Sequence, residues 1–273
     1  MSLLRVENLS KEFGGVHAVE DLNYEIQPGA VHSIIGPNGA GKTTLLNMLT
    51  GVYTPSEGRI FYEDHDLTGL APYQYAAHGI ARTFQNLQVF FNMSALENVM
   101  VGRYLHERCG LASALVRLPR LARAERACRD EAAELMRYVG LQNYLSAAST
   151  AMPYGALKRL EIARAMATQP KLVLLDEPAA GLNPTEALEL DDLIGRLAER
   201  GVTVVLVEHN MRLVMGVSDH ILVLDYGRKL AEGPAARVRN DPKVIEAYLG
   251  GAVAGGATPG IAGQVAPQPG AHP

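Results

Sequence analysis

The sequence predicts an α/β fold: a mostly parallel sheet core, an antiparallel β region at the N-terminus, and a helical lobe inserted into the chain. Three observations predict it. Apolar, β-rich runs at residues 31–35, 171–176, 203–208 and 220–225 are separated by helical stretches at 185–200 and 210–217, the pattern of a sheet covered on both faces. The glycine-rich stretch Gly36-Pro37-Asn38-Gly39-Ala40-Gly41-Lys42-Thr43-Thr44 lies between the first of these runs and a helix-like run. From Met93 to about residue 151 strand signals vanish, and Ala, Leu and Arg dominate.

Taken in order, residues 3–9 alternate well enough for a strand, and residues 22–26 read as another. Phe13-Gly14 falls in the connection between them, where the ring either packs in the loop or stacks on a base. Pro28-Gly29 turns the chain into the buried strand 31–35. The run Thr43-Thr44-Leu45-Leu46-Asn47-Met48-Leu49 reads as a helix, which Gly51 is placed to stop with Pro55 soon beyond. Residues 59–62 form a short strand after the turn at Pro55 and Gly58. The inserted lobe spans about residues 93–160, and residues 115–137 within it look helical. There Arg117, Arg120, Arg123, Arg126 and Arg129 recur every third residue. A helix turns every 3.6 residues, so the row drifts around the surface, read as a solvated face among Glu125, Asp130, Glu131 and Glu134, the alternative being a surface that faces partner proteins or lipid headgroups. A short helix at 244–249 closes a domain of residues 1–250. Residues 251–273 contain no Asp, Glu, Lys or Arg and are rich in Gly, Ala and Pro, so they are expected to be a disordered tail.

At 273 residues the chain can bury a full core, and 48% hydrophobic with 20% charged residues is ordinary for a globular protein. A net charge of -4 gives no support for binding nucleic acid. No apolar run approaches a membrane span, and Met1-Ser2-Leu3-Leu4-Arg5-Val6-Glu7 is no signal peptide, so the chain is expected in the cytosol. Cys109 and Cys128 lack metal-ligand spacing and read as packing residues.

The chemistry starts at the glycine-rich stretch, which has the spacing of a phosphate-binding loop. Its glycines let backbone N–H groups close on phosphate oxygens, and the helix N-terminus adds partial positive charge. Lys42 places a full charge near β- and γ-phosphates, and the Thr43 hydroxyl is a magnesium ligand. The second half of the site is Leu172-Val173-Leu174-Leu175-Asp176-Glu177-Pro178, a buried strand ending in two acids. Asp176 can hold magnesium directly or through water, and Glu177 can polarise the water that attacks the γ-phosphate.

With these residues in place, the chain resembles the ATP-binding cassette (ABC) ATPases, with the P-loop NTPase fold of that family. Arg82-Thr83-Phe84-Gln85 matches the family's glutamine loop, so Gln85 would contact the magnesium or the attacking water and report nucleotide state to a membrane partner. Met152-Pro153-Tyr154-Gly155-Ala156-Leu157-Lys158-Arg159-Leu160 stands at the signature motif, Ala180-Gly181-Leu182-Asn183 at the D-loop, and Val207-Glu208-His209 at the switch histidine. By resemblance, His209 contacts the γ-phosphate, Phe13 stacks on adenine, and the signature caps a nucleotide held by the other ATPase of a head-to-tail pair. The signature departs from Leu-Ser-Gly-Gly-Gln: Pro153, Tyr154 and Ala156 are substituted and Gly155 is kept, so a hydroxyl and an N–H donor are lost. Asn183 replaces the usual D-loop aspartate, and a carboxylate role goes with it.

Ala179-Ala180-Gly181-Leu182-Asn183-Pro184, Glu208-His209-Asn210-Met211 and Ala247-Tyr248-Leu249-Gly250 resemble the ATPase subunits of branched-chain amino-acid importers. That resemblance implies ATP and Mg2+, a second and different ABC ATPase subunit, two transmembrane permeases, and indirectly a periplasmic or extracellular solute-binding protein. It places the chain as a peripheral subunit at the cytoplasmic face of the inner membrane. Related urea or lipopolysaccharide transporters share similar cassettes, because fold does not fix substrate. A soluble cassette ATPase acting on ribosomes or DNA usually carries two cassettes or a long coiled coil, and this chain has neither. A regulator that binds without hydrolysing is disfavoured by Lys42, Asp176, Glu177 and His209.

Overall fold

The computed structural model describes residues 2–104 and 119–255. The chain opens with β1 (Leu4–Phe13), β2 (Val16–Ile26) and β3 (Val31–Ile35), followed by α1 (Lys42–Leu49), β4 (Glu57–Tyr62), β5 (His65–Asp66), α2 (Pro72–Ala77) and β6 (Ile80–Arg82). The next helices are α3 (Ala95–Arg103), α4 (Pro119–Tyr138) and α5 (Tyr154–Ala167), with 3-10 turns at Gln142–Tyr144 and Ser149–Ala151 before α5. Then come β7 (Leu172–Asp176), α6 (Pro184–Glu199), β8 (Thr203–Val207), α7 (Met211–Val217), β9 (His220–Asp225), β10 (Arg228–Gly233), α8 (Ala235–Arg239) and α9 (Pro242–Gly255).

Two sheets result. The N-terminal one is antiparallel, in the order β2-β1-β4-β5; the central one has six strands in the order β10-β9-β3-β8-β7-β6. Every pairing in the central sheet is parallel except that of β10 with β9. Both faces of the central sheet are buried, which is why its strands read as unbroken apolar runs. Along β7, Leu172 and Leu174 face the core shared with α1 and the antiparallel sheet, while Val173 and Leu175 face the core shared with α5 and α6. All four are fully buried, and each contributes about 1.5–3 kcal/mol by leaving water.

The helical lobe is the crossover between two neighbouring parallel strands, β6 and β7, and so inserts without breaking the sheet. Its α3 and α5 pack so closely that a Cβ at Gly102 would strike the Arg164 carbonyl. Cys128 of α4 is buried, and Arg123, Arg126 and Arg129 are exposed, as the drifting row requires. Cys109, residues 115–118 with Arg117, and residues 256–273 of the expected tail lie outside the described residues.

Several boundaries differ from the sequence reading. β1 continues to Phe13 and β2 starts at Val16, so Phe13 ends a strand opposite Val16 and does not sit in a loop. The exposed tip of that hairpin carries little apolar alternation, so pattern alone ends both strands early. The lobe's last helix runs to Ala167, beyond residue 160. α9 runs to Gly255, past the boundary at residue 250, because helix propagation needs only local backbone bonds.

Candidate nucleotide site

β3 delivers the chain to the glycine-rich loop, and α1 begins at Lys42. Gly36 and Gly41 both have positive φ (154° and 99°), and a Cβ would strike the Leu224 carbonyl at the first and the Ala18 carbonyl at the second. No side chain caps α1, and its first turn holds no acid, so its leading N–H groups and the helix dipole are available to an anion. Lys42 Nζ donates to the carbonyls of Gly36 (2.8 Å) and Pro37 (2.9 Å). Burial holds its pKa below the usual lysine value, and the charges of Glu177 and Asp176 oppose that shift. Asn38, Gly39 and Thr43 are exposed, Thr44 is half-buried, and Ala40 is buried, its carbonyl accepting from the Gly227 N–H at 3.1 Å.

Asp176 ends β7 and is 3% exposed. Arg82 Nη2 bonds its Oδ2 at 2.8 Å, while Arg82 Nη1 reaches Asn47 Oδ1 of α1 at 2.6 Å. One guanidinium thus ties β6, β7 and α1 together. At Glu177 the chain leaves the strand with φ 47°, a conformation that non-glycine residues rarely adopt and that clusters at functional sites. Its carboxylate receives Gln85 Nε2 at 2.9 Å on Oε2, and His209 Nδ1 stands 3.9 Å from Oε1. Gln85, Glu177 and His209 come from three separate loops and meet at the carboxyl ends of the parallel strands, beside Lys42.

Glu208, 1% exposed, had no assigned role in the sequence reading. Its Oε1 accepts from the Ala179 N–H at 2.9 Å, and its Oε2 accepts from the His209 and Asn210 N–H groups at 3.1 and 3.3 Å. It holds the segment after Glu177 against the segment that carries His209. An acid directly before the histidine at a strand end was the available signal.

Pro153 caps α5 in extended conformation without a side-chain bond. Tyr154 and Gly155 lie against the chain's own D-loop region: a Cβ at Gly181 would touch the Tyr154 ring, and one at Gly155 would collide with the Glu186 carboxylate. Asn183, read as a lost carboxylate, has a task of its own. Its Oδ1 caps α6 by accepting from the Thr185 and Glu186 N–H groups at 3.0 and 2.9 Å, and Glu186 Oε2 accepts from the Asn183 N–H at 3.0 Å.

Two buried charges on α5 also escaped notice. Lys158 Nζ donates to the Gln85 carbonyl at 2.9 Å, and Glu161 Oε1 accepts from the Gln88 N–H at 2.6 Å. Burial pushes the Glu161 carboxyl up, against the pull of that bond and of Lys158 and Arg164. Charged residues amid the apolar positions of one helix were the signal. Phe13 stands at the tip of the β1–β2 hairpin, its ring edge-on to Tyr53 at 5.3 Å, with Lys11 Nζ 5.1 Å from its centroid.

The family model described as ABC transporter matches residues 19–180, more than half of the chain. The chain therefore belongs to the ABC transporter family; it is a nucleotide-binding ATPase subunit of the transporter class, with the P-loop ABC ATPase fold. A second model, described as branched-chain amino acid ATP-binding cassette transporter, matches residues 228–254. The chain is 46% identical over 249 residues to the high-affinity branched-chain amino acid transport ATP-binding protein LivG of Escherichia coli (strain K12), covering 91% of this chain and 98% of that protein. It is 43% identical, over the same shares, to the high-affinity branched-chain amino acid transport ATP-binding protein BraF of Pseudomonas aeruginosa. Among solved structures, a nucleotide-free ATP-binding cassette from an ABC transporter superposes with a TM-score of 0.79 at 33% identity, covering 91% of this chain and 99% of that one. Among the described residues, no helix is long and apolar enough to cross a membrane.

Proposed function

We propose that this chain is the ATP-hydrolysing subunit of an importer for branched-chain amino acids. It pairs head-to-tail with a second, different ABC ATPase and drives two permeases from the cytoplasmic face of the inner membrane, with a solute-binding protein delivering the solute on the far side. The solute and the partners are supported by the likeness to LivG and BraF over nearly their full lengths. The chemistry is carried by one observation: the Glu177 carboxylate, held by Gln85 at 2.9 Å with His209 at 3.9 Å, beside the Lys42 loop.

In this reading the loop N–H groups of residues 36–44 and Lys42 bind the β- and γ-phosphates, with Phe13 against the adenine. Glu177 accepts the proton of the attacking water, and the Gln85 bond fixes which carboxylate oxygen is free to do so. His209 contacts the γ-phosphate. Pro153, Tyr154 and Gly155 face the partner's nucleotide.

Mg2+ fits the donor set, which is oxygen only: the Thr43 hydroxyl, the Asp176 carboxylate and the Gln85 amide oxygen. When bound, the ion would neutralise charge on the phosphates.

The test uses Glu177→Gln as bait, isolated with ATP from detergent-solubilised membranes of its source. Two permeases and a second, distinct ATPase are expected to co-purify. Recovery with ribosomes or nucleic acid and no membrane protein would overturn the reading.

A further inference from the structure

Two neighbouring parallel strands, β7 and β8, end at Asp176 and Val207, which pair with each other. Glu177 follows the first strand; Glu208 and then His209 follow the second. One more main-chain bond continues the ladder, from the Glu177 N–H to the Val207 carbonyl at 2.9 Å. Beyond it, no backbone hydrogen bond joins the two exits among the described residues. The Glu208 carboxylate takes over there. Its Oε1 accepts from the Ala179 N–H at 2.9 Å, and its Oε2 accepts from the His209 and Asn210 N–H groups at 3.1 and 3.3 Å. Asn210 in turn caps α7, its Oδ1 accepting from the Arg212 and Leu213 N–H groups, so the second turn is also tied to a helix.

The His209 side chain is 66% exposed, with Nδ1 at 3.9 Å from Glu177 Oε1 and 4.0 Å from Glu208 Oε2. Both distances exceed hydrogen-bond reach, so the ring is placed by its main chain. The His209 N–H is bonded to Glu208. Three donors and no acceptor face this carboxylate, so only an acceptor-only group satisfies them all. An amide, whichever way it is turned, points its NH2 at an N–H. Glu208 is 1% exposed, and among the described residues no Lys or Arg pairs with it. An acid buried without a cation is costly, and packing alone would be met by an apolar side chain of similar size.

We propose that Glu208 is a positioning residue for hydrolysis: its buried carboxylate bridges the turn that follows Glu177 and the turn that carries His209, and so fixes where the histidine stands relative to the base. Both side chains reach out from short turns with few bonds of their own. A bridge of three N–H bonds, made out of water, leaves those turns one relative position. ATP is held elsewhere, by the loop of residues 36–44, so the bridge bears on turnover and not on affinity. The proposal rests on the reading of Glu177 and His209 as groups that act at the γ-phosphate.

Glu208→Gln tests it, because the length stays and one side of the bridge opens. Glu208→Asp is the second variant: it keeps the charge but, a methylene shorter, cannot span both turns. ATP affinity is measured on the full chain by displacement of a fluorescent nucleotide, and kcat and KM on the assembled transporter, each in the parent and in His209→Ala. Both variants are expected to lower kcat about 10–100-fold, the size of a misplacement of about 1 Å, with the ATP Kd and KM within about twofold of the parent. In the His209→Ala background the further loss should shrink to less than about threefold, because the relation that Glu208 sets no longer exists. Turnover within about threefold of the parent for both variants would overturn the proposal. So would an equal loss in both backgrounds, or an ATP Kd that rises as far as kcat falls, which would assign the effect to packing. Full turnover in Glu208→Asp would overturn it too, since charge and not span would then be what matters. If His209→Ala loses turnover and the Glu208 variants do not, only this inference falls; if His209→Ala turns over like the parent, the reading of His209 falls and takes the inference with it.

Discussion

Replacing Arg82 with methionine should destabilise the chain by about 3 kcal/mol, and replacing Asp176 with asparagine in the same chain should return most of the loss. The two side chains are 6% and 4% exposed and 2.8 Å apart. Removing one partner of such a pair leaves a buried charge without compensation, which costs about 3–5 kcal/mol. The lower end applies because Lys42 also lies within electrostatic reach of Asp176. The bonds from Arg82 to Asn47 and Thr50 are lost too, but those partners are neutral and add less. In Arg82→Met/Asp176→Asn neither charge remains, and because Asp176→Asn alone also leaves a buried charge unpaired, a double-mutant cycle should give a coupling of at least about 2 kcal/mol. Urea midpoints of the four proteins, followed by circular dichroism, provide the measurement. Losses that add to within about 0.5 kcal/mol would refute the idea that the buried pair, rather than packing of the arginine stem, is what stabilises this corner.

Glu177→Gln keeps the geometry of the Gln85 contact but removes the base, so it should bind ATP and turn over at least about 100-fold slower; turnover within about tenfold of the parent would remove Glu177 from that role. His32 gives a pH dependence. Burial, then the His220 charge, lower its pKa to about 4 in the fold, against about 6.5 unfolded, so the unfolded chain binds the proton first. That contribution is complete above about pH 6.5 and fades as the pH falls towards 4, with about 2 kcal/mol gone by pH 5. Buried Glu161 titrates in the opposite sense, so the check is the difference in urea midpoints between parent and His32→Asn from pH 7.5 to 5; parallel curves would contradict it. Gly155→Ala pushes a methyl group into the Glu186 carboxylate, which must swing away and abandon the cap on Asn183. A loss of about 1 kcal/mol is expected, and an unchanged melting midpoint would mean that the cap survives the move.

How much of this was legible in the sequence follows from what each residue has to satisfy. β3, β7, β8 and β9 are buried on both faces, so burial alone writes their apolar runs. β6 is three residues long and β10 is charged, half-exposed and on the sheet edge; neither carries a pattern, and only pairing with a neighbour makes them strands. Gly36, Gly41 and Lys42 were legible because a loop that wraps phosphate tolerates few other residues. Arg82 was visible as part of a motif, but its partner lies 94 positions away, and no local pattern reports a buried ion pair across that gap. Asn183 was legible only in part: comparison with a usual aspartate counts a missing charge, while its helix-capping role shows only in the local geometry.

Gln85 shows why the site is more than a set of motifs. Its side-chain amide holds Glu177, and its carbonyl is held by Lys158 of α5, the helix that opens with Pro153 and Tyr154. Three residues on, the Gln88 N–H is held by Glu161 of the same helix. Lys158 and Glu161 are both under 5% exposed, so these bonds are made out of water, where they are stronger and costlier to break than on the surface. A rotation of α5 relative to the central sheet therefore has two outcomes. Either the Gln85 main chain follows the helix and draws the amide off Glu177, or a buried lysine loses its acceptor. The second costs more than the first, because the Gln85 side chain is exposed and can exchange its bond for one with water. On this balance the loop is expected to follow the helix. In the proposed reading, the helix that faces the partner's nucleotide and the glutamine that orients the base of this chain's own site would move as one unit, which would couple the two ATP sites through Lys158.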